Sequence, residues 1–405
     1  MTRAATGYRS LLRIPGAAAF FLTAAVGRVG IAMTGLGLVW LLHARTGSYG
    51  TSGLAAAGFS LAEALIGPHL ARLIDRYGQT RILPFCLLAH GAAIAGVLAS
   101  TTSAAAITAA TCAGAVVPQL GALSGARWGH LLRDERADEL PTAFSLESLA
   151  NAAAFLLGPV LVTSLGAVGD AAWASAIAAA LILCGGGALA TQRRTTPPPA
   201  REHAGARTGR TLLQPTFILL VLLNLAIGLY FGTMGVSVSS FAISHQVPGA
   251  AAPITVASSL SGLLSGWLYG LRRHRTTAHR QLIIATAYLT GAALLLPLAR
   301  SAIWLGAAAV VTEAAVPPTL VLLNVFTEEA VHPAVLTQAF TWNNSASAAG
   351  SALAASLAGR TADAWGASTA LAQAPAAGLV LLVLSLAVQR SGRPPQLRVP
   401  DENPA

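Results

Sequence analysis

The chain alternates between long apolar blocks and short polar segments, and the block length predicts helices that cross a membrane. Most blocks approach or exceed about 20 residues, the length that spans about 30 Å of hydrocarbon as a helix. Because the backbone must satisfy its own hydrogen bonds inside lipid, each block is predicted to be helical. The twelve blocks cover residues 16–43, 50–72, 82–99, 104–131, 140–166, 171–191, 213–242, 252–271, 281–299, 302–326, 334–358 and 367–389.

The arginines follow the alternation of the loops and predict the orientation of the chain. Every second loop, together with the two chain ends, holds 20 of the 25 basic residues, whereas the opposite loops hold only Arg45, Arg300 and Arg360. Cytoplasmic loops of membrane proteins are enriched in basic residues. All 25 basic residues are Arg, and with the abundance of Ala this composition is typical of a GC-rich bacterial genome. We therefore expect a multi-pass protein of the bacterial inner membrane with both termini in the cytoplasm.

The composition supports a membrane protein and excludes several other classes. The chain is 54% hydrophobic and 10% charged, whereas soluble proteins carry about 25% charged residues. The net charge of +10 does not indicate a nucleic-acid partner, because the arginines lie in loops and form no single basic face. Cys86, Cys112 and Cys184 lie in apolar runs without the spacing of a metal site or a disulfide. No phosphate loop, nucleophile elbow or His/Asp cluster indicates an enzyme, so we expect no catalytic residues, cofactor or metal.

A polar, proline-rich and cationic segment predicts a division of the chain into two bundles. It covers residues 192–212, cannot bury apolar surface and is typical of a flexible linker. We expect six-helix bundles at 1–191 and 213–390 and a cytoplasmic tail at 391–405. Similar segments recur at an offset of 196 residues, at 21–28 against 217–224 and at 143–155 against 339–351. Paired halves with a site at their interface are typical of transporters.

The stretch ARLIDRYGQTR, residues 71–81, carries the closest resemblance to a known family. It resembles the signature loop of the major facilitator superfamily, in which Asp75, Arg76 and Gly78 match, while Arg81 restores a basic charge one residue late. The resemblance implies an all-α membrane fold of twelve helices in two pseudo-symmetric bundles, most similar to actinobacterial drug or metabolite exporters. It also implies that this loop is a latch that locks the outward-open state. Asp75 is predicted to bind arginines or a helix N-terminus across the two halves.

Ionisable side chains within the apolar blocks are the candidate coupling residues, because such groups are costly in a membrane. We expect Glu63 and Glu147 to carry protons and Arg28 to tune one of them, with Arg127 closing the fourth block. Two static ion pairs are the alternatives, Arg28 with Glu63 and Arg127 with Glu147. Glu313 is interpreted as a polar position in a kinked tenth helix.

The second half offers neutral polar and aromatic residues for substrate binding. Apolar walls with a few polar groups suit an amphipathic organic molecule. The candidates are Asn224, Tyr230, Ser237, Trp342, Asn343 and Asn344. In the fifth block Gly158 and Pro159 resemble part of a motif of proton-coupled exporters, and a packing kink would give the same sequence.

These patterns together predict a monomeric secondary transporter that exports a small amphipathic organic molecule by proton antiport. Its expected partners are the substrate, protons and the lipid bilayer, with no nucleic acid. One alternative is an uptake permease in which Arg28 binds a small organic anion. Another is a receptor or scaffold of the same fold that transports nothing.

Overall fold

The computed structural model describes residues 7–168, 171–200, 210–272 and 276–390, and within these ranges it contains sixteen α-helices. The middle of the predicted linker, 201–209, and the predicted tail, 391–405, lie outside the described residues. Helices of the first half are α1 Tyr8–Leu12, α2 Ala17–Thr46, α3 Tyr49–Tyr77, α4 Gln79–Ala99, α5 Ser103–Ala115, α6 Leu120–Leu131, α7 Leu140–Val168 and α8 Ala171–Thr191. Those of the second half are α9 Pro215–Ser244, α10 Ala251–Leu271, α11 Ala278–Ala293, α12 Ala302–Glu313, α13 Val316–Ala330, α14 Leu336–Trp365, α15 Ala367–Leu371 and α16 Gln373–Arg390.

Ten helical stretches in the described part of the chain are long and apolar enough to cross a membrane. The two remaining predicted blocks are also helical, but α11 has only 16 residues and α14 is rich in polar side chains. All twelve blocks therefore form helices, and the crossing of the membrane by twelve of them stays a prediction.

Three of the twelve blocks are interrupted: the twelfth at Ala372, between α15 and α16, and two others at equivalent places in the two halves. The fourth is split into α5 and α6 by residues 116–119, and the tenth into α12 and α13 at Ala314 and Ala315. Prolines explain these two interruptions, because Pro118 lies in the first gap and Pro317 lies in the first turn of α13, where its missing N–H is tolerated. The predicted kink in the tenth block is confirmed.

Buried apolar clusters show where the two halves meet. One cluster combines Phe20, Trp128 and Phe144 of the first half with Val325 and Phe340 of the second. The other three clusters of the described residues each have their buried members in one half alone. The shared cluster lies at the end of the bundle that carries the arginine-rich loops, so the halves share a core at that end.

The internal repeat is kept in the helix order but not in the closest packing. In the first half α2 packs tightly on α8, where Gly30 lies against the backbone of Ala178. In the second half α9 packs most closely on α14, where a side chain at Gly228 would overlap the carbonyl oxygen of Ser347. The first helix of each half therefore has a different closest neighbour, and the polar residues at matched positions lie in different surroundings.

Candidate functional site

Arg28 and Glu147 form a buried ion pair between α2 and α7. The Arg28 guanidinium binds both a Glu147 carboxylate oxygen and, at 3.2 Å, the Glu147 backbone carbonyl. The other carboxylate oxygen accepts hydrogen bonds from Ser124 Oγ at 2.6 Å and Trp128 Nε1 at 2.8 Å, both on α6. Arg28 therefore pairs with Glu147, and the predicted Arg28–Glu63 pair is wrong, because α7 lies nearer than α3 to this face of α2.

Arg127 closes the end of α8 and does not reach Glu147. Its guanidinium donates to the carbonyl oxygens of Leu189 at 3.0 Å and Gln192 at 3.1 Å. It also donates to Thr195 Oγ1 at 3.0 Å and Gln79 Oε1 at 2.8 Å. A cation at a helix C-terminus stabilises carbonyl groups that have no partner within the helix. The predicted Arg127–Glu147 pair is wrong, since Arg127 and its neighbour Trp128 face different helices.

Glu63 lies beside the interruption of the fourth block. Gln119, the last residue before α6, donates from Nε2 to Glu63 Oε1 at 3.3 Å. Within the described chain no Arg or His lies within ion-pair distance of Glu63. One helical turn further along α3, Gly67 lies against Thr341 of α14, so that a Cβ there would be 3.3 Å from Thr341 Cγ2. Glu63 is thus a carboxyl without a basic partner among the described residues, and it lies one helical turn along α3 from the contact between the halves.

Four of the six predicted substrate residues are buried, and two of these, Asn224 and Asn343, have hydrogen bonds only within their own helix or bundle. Asn224 donates to Leu220 O at 2.8 Å, and Asn343 donates to Thr327 Oγ1 at 2.7 Å. The Ser237 hydroxyl and Asn343 Oδ1 are buried and have no hydrogen-bond partner. Trp342 and Asn344, in contrast, are exposed. Trp342 lies beside the His69 ring of α3, with 6.5 Å between the ring centroids.

Tyr230 has a partner that the sequence pattern did not indicate. It is buried in α9, and its hydroxyl donates to Glu313 Oε2 at 3.3 Å. Glu313 is the last residue of α12 and lies at the interruption of the tenth block. The structure therefore brings together a predicted substrate residue and a carboxyl that the sequence left without a role.

Asp75 joins the two halves at the arginine-rich end. Its carboxylate accepts from the Gln338 backbone N–H at 2.9 Å, in the first turn of α14. A carboxylate there satisfies an unpaired N–H and interacts favourably with the helix dipole. Of the two predicted partners, the structure shows the helix N-terminus. Gly78 has φ of +95° at the junction of α3 and α4, a conformation that only glycine adopts readily.

Arg76 and Arg81 face the start of the linker. They line a cleft of about 360 Å³ together with Pro197 and Pro199. The Ala200 backbone N–H donates to the Asp75 backbone carbonyl at 2.9 Å. The first residues of the predicted linker therefore lie against the signature loop.

Tyr8 holds the opposite side of the contact between the halves. Under the 196-residue offset the position of Asp75 is occupied by Leu271, which cannot accept a hydrogen bond from its side chain. Instead, the Tyr8 hydroxyl donates to Trp267 O at 2.8 Å and Thr142 Oγ1 donates to Gly270 O at 3.1 Å. Burial raises the pKa of Tyr8 to about 12, so the hydroxyl keeps its proton at physiological pH. Nothing in the polar, basic N-terminal sequence indicated this contact.

Gly158 allows close approach of α7 and α2. A Cβ at Gly158 would lie 2.9 Å from the backbone carbonyl carbon of Ala32, and α7 continues as a helix through Pro159. The structure thus shows a close helix–helix contact at Gly158, as the packing interpretation of Gly158 and Pro159 expects. Among the described residues, no group of three His, Cys, Asp or Glu side chains could hold a metal ion.

Comparison with known proteins matches both the sequence and the architecture to membrane transporters. The sequence model of the Major Facilitator Superfamily matches residues 20–355. A crystal structure of a bacterial homologue of the iron transporter ferroportin, in an outward-facing state, is similar with a TM-score of 0.77 at 10% identity, covering 92% of this chain and 99% of that one. The human organic anion transporter MFSD10 (TETRAN) has a TM-score of 0.68 at 18% identity, covering 91% and 98%. No curated protein sequence matches the chain.

Proposed function

The chain belongs to the major facilitator superfamily, and on that premise we propose that it exports a small amphipathic organic molecule by proton antiport and alternating access. Its family and its structural neighbours are transporters and not enzymes. We further propose that all twelve helical blocks cross the bacterial inner membrane in a monomer with both termini in the cytoplasm. The arginine-rich loops support this orientation.

The observation that carries the proposal is the one-sided contact between the halves. The shared apolar cluster lies at the arginine-rich end, and the polar contacts of Asp75 and Tyr8 lie there too. If that end faces the cytoplasm, the described conformation is closed to the cytoplasm. Rocking of the halves would break these contacts and form new ones at the other end, which is the movement that alternating access needs.

Glu63 is the carboxyl that we assign to the coupling proton. It lies one helical turn from the contact between the halves and has no basic partner within ion-pair distance among the described residues, so a change of surroundings alters the balance between its charged and neutral forms. Glu147 is less suited, because its carboxylate is already bound by Arg28, Ser124 and Trp128. In this proposal the Arg28–Glu147 pair and Arg127 support the first bundle around Glu63.

The same ion pair bears on the substrate. Anion uptake through Arg28 would need a free guanidinium, and Glu147 neutralises it in this conformation. Trp342 and Asn344 are the exposed members of the predicted set and offer an aromatic face and an amide. We propose that they contact the substrate, while the buried Asn224, Ser237 and Asn343 shape the wall behind them.

Transport in proteoliposomes tests this function. We would reconstitute the full chain, impose a pH gradient with the membrane potential held at zero, and follow accumulation of the amphipathic dye Hoechst 33342. The wild type is expected to accumulate dye only with the gradient. Glu63→Gln is expected to accumulate far less dye with the gradient but to keep dye exchange between two equal pools. Asp363→Asn, which removes an exposed carboxyl of α14, serves as the matched control. Equal dye accumulation by the wild type with and without the gradient would contradict proton antiport.

A further inference from the structure

The interruption of the tenth block is stabilised by side-chain hydrogen bonds from α10. Residues before α13 lose helical hydrogen bonds, and α10 supplies replacements for their carbonyl groups. Ser261 Oγ donates to Val310 O at 2.7 Å, and Ser265 Oγ donates to Ala314 O. Irregular backbone at membrane depth is tolerated only where protein or a cavity satisfies its polar groups. The serines of α10 therefore keep the interruption in place.

Glu313 projects from this interruption towards α9 and α10. Among the described residues its one hydrogen-bond donor is the Tyr230 hydroxyl at 3.3 Å, and a Cβ at Gly262 of α10 would lie 3.2 Å from its Cγ. The hydroxyl of Tyr288, on α11, is used elsewhere, on the carbonyl of Val311. No basic side chain of the described residues lies within ion-pair distance. Tyr230 is thus the titratable group that faces Glu313, and the carboxylate has no counter-charge.

Among the described residues, each half has a carboxyl without a basic partner at its interrupted fourth or tenth block, Glu63 in the first half and Glu313 in the second. Under the 196-residue offset, Ala315 in the tenth-block interruption corresponds to Gln119 in the fourth-block interruption. Glu63 binds Gln119 from a neighbouring helix, whereas Glu313 lies in the interruption itself. The pseudo-symmetry is therefore one of location, since the two carboxyls come from different helices.

Each carboxyl also lies one helical turn from a contact between the halves. Gly67, four residues after Glu63, contacts Thr341, and Gly266, four residues after Gly262, lies beside Leu149 of α7. Glu63 and Glu313 therefore lie close to places where the halves touch, one carboxyl in each half. Rocking of the halves changes the surroundings of both.

We propose that Glu313, with Tyr230, is a second proton-binding site and that one transport cycle moves two protons, one through each half. The carboxylate takes a proton from water on the outer side, becomes a neutral carboxylic acid, and releases the proton to water on the cytoplasmic side after the halves rock. The Tyr230 hydroxyl donates to the charged form when the proton has left. This inference rests on the proposed function, because it assigns the stoichiometry of the same antiport.

Infrared spectroscopy tests the site without a transport substrate. The full chain, reconstituted in lipid, is titrated while the carbonyl stretch of protonated carboxyls is recorded. Several carboxyls of the chain titrate, and Glu313→Gln is expected to remove one band and Glu63→Gln a different one, while Asp363→Asn leaves both of these bands in place. Tyr230→Phe, which keeps the ring, is expected to move the midpoint of the Glu313 band by about one pH unit, the effect of losing one hydrogen bond to a charged group. An unchanged titration in both Glu313→Gln and Tyr230→Phe overturns the site.

Dye accumulation tests the stoichiometry separately. With the membrane potential held at zero and a gradient of one pH unit, two protons support about a hundredfold accumulation and one proton about tenfold. Glu313→Gln is expected to lower the maximal dye accumulation about tenfold. Equal maximal accumulation in the variant and the wild type would overturn the second proton. If the wild type itself ignores the gradient, proton antiport fails, while the infrared result still decides whether Glu313 binds a proton.

Discussion

Arg28 on α2 and Glu147 on α7 are 119 residues apart in the sequence and form a buried ion pair. Removing one partner of such a pair leaves a buried charge without compensation, which costs about 3–5 kcal/mol. We expect Arg28→Gln or Glu147→Gln alone to lower the thermal midpoint strongly. The double variant is expected to recover part of this loss, and Arg360→Gln, an exposed control, to change little. The measurement is thermal unfolding in detergent.

The same variant separates the two transport hypotheses. If Arg28 bound an anionic substrate, Arg28→Gln would abolish binding of organic anions, which equilibrium binding of fluorescein would detect. The antiport proposal expects dye binding to survive in whatever fraction of the variant remains folded. Loss of anion binding with normal thermal stability would favour the uptake permease.

Asp75 caps α14 across the two halves, and its charge is expected to set the balance between the two conformations. Asp75→Asn weakens a hydrogen bond to a charged group, worth on the order of 1.5 kcal/mol, and so lowers the ratio of closed to open cytoplasmic ends about tenfold. Electron paramagnetic resonance can measure this ratio with spin labels at Ala137→Cys and Glu329→Cys, after replacement of the three native cysteines. Asp363→Asn, which removes an exposed carboxyl of the capped helix α14, is the control. An unchanged distance distribution would remove Asp75 from the latch.

Tyr8 is expected to hold the other side of the same contact. Tyr8→Phe removes one hydroxyl donor to Trp267 O and should shift the same distance distribution towards the open form by severalfold, since a neutral hydrogen bond contributes about 1 kcal/mol. Because burial raises the pKa of Tyr8 to about 12, the effect should not vary over the physiological pH range. Tyr288→Phe is a matched control, because that hydroxyl also donates to a carbonyl but within one half. A similar shift in both variants would indicate a general loss of stability.

The close packing of α9 on α14 is expected to tolerate no side chain at Gly228. Alanine there would overlap the Ser347 carbonyl oxygen, and overpacking of this kind typically costs about 1–3 kcal/mol or more. Gly235→Ala, on the same helix with open space around it, should be neutral or stabilising because alanine favours the helix by about 1 kcal/mol. Thermal unfolding of the two variants checks the difference. Equal midpoints would mean that the two helices can separate at little cost.

The helices themselves follow from local sequence. Apolar blocks of sufficient length must form helices in lipid, and prolines end or interrupt them, so the twelve helical blocks and the kinked tenth block could be predicted. The roles of Gly78 in a turn and of Asp75 as a charged latch residue could also be predicted, because both depend on a short local motif that resembles a known loop. Each of these features depends on residues that are close together in the chain.

Side-chain partners were decided only by the tertiary structure. The sequence gives the depth of a residue along its helix, but not which neighbouring helix its side chain faces, because that depends on how each helix is rotated and tilted in the bundle. Arg28 therefore lies against Glu147 and not Glu63, Arg127 against the end of α8, and Glu313 against Tyr230. Residues at similar depths on different helices are equally plausible partners until packing brings one pair into contact.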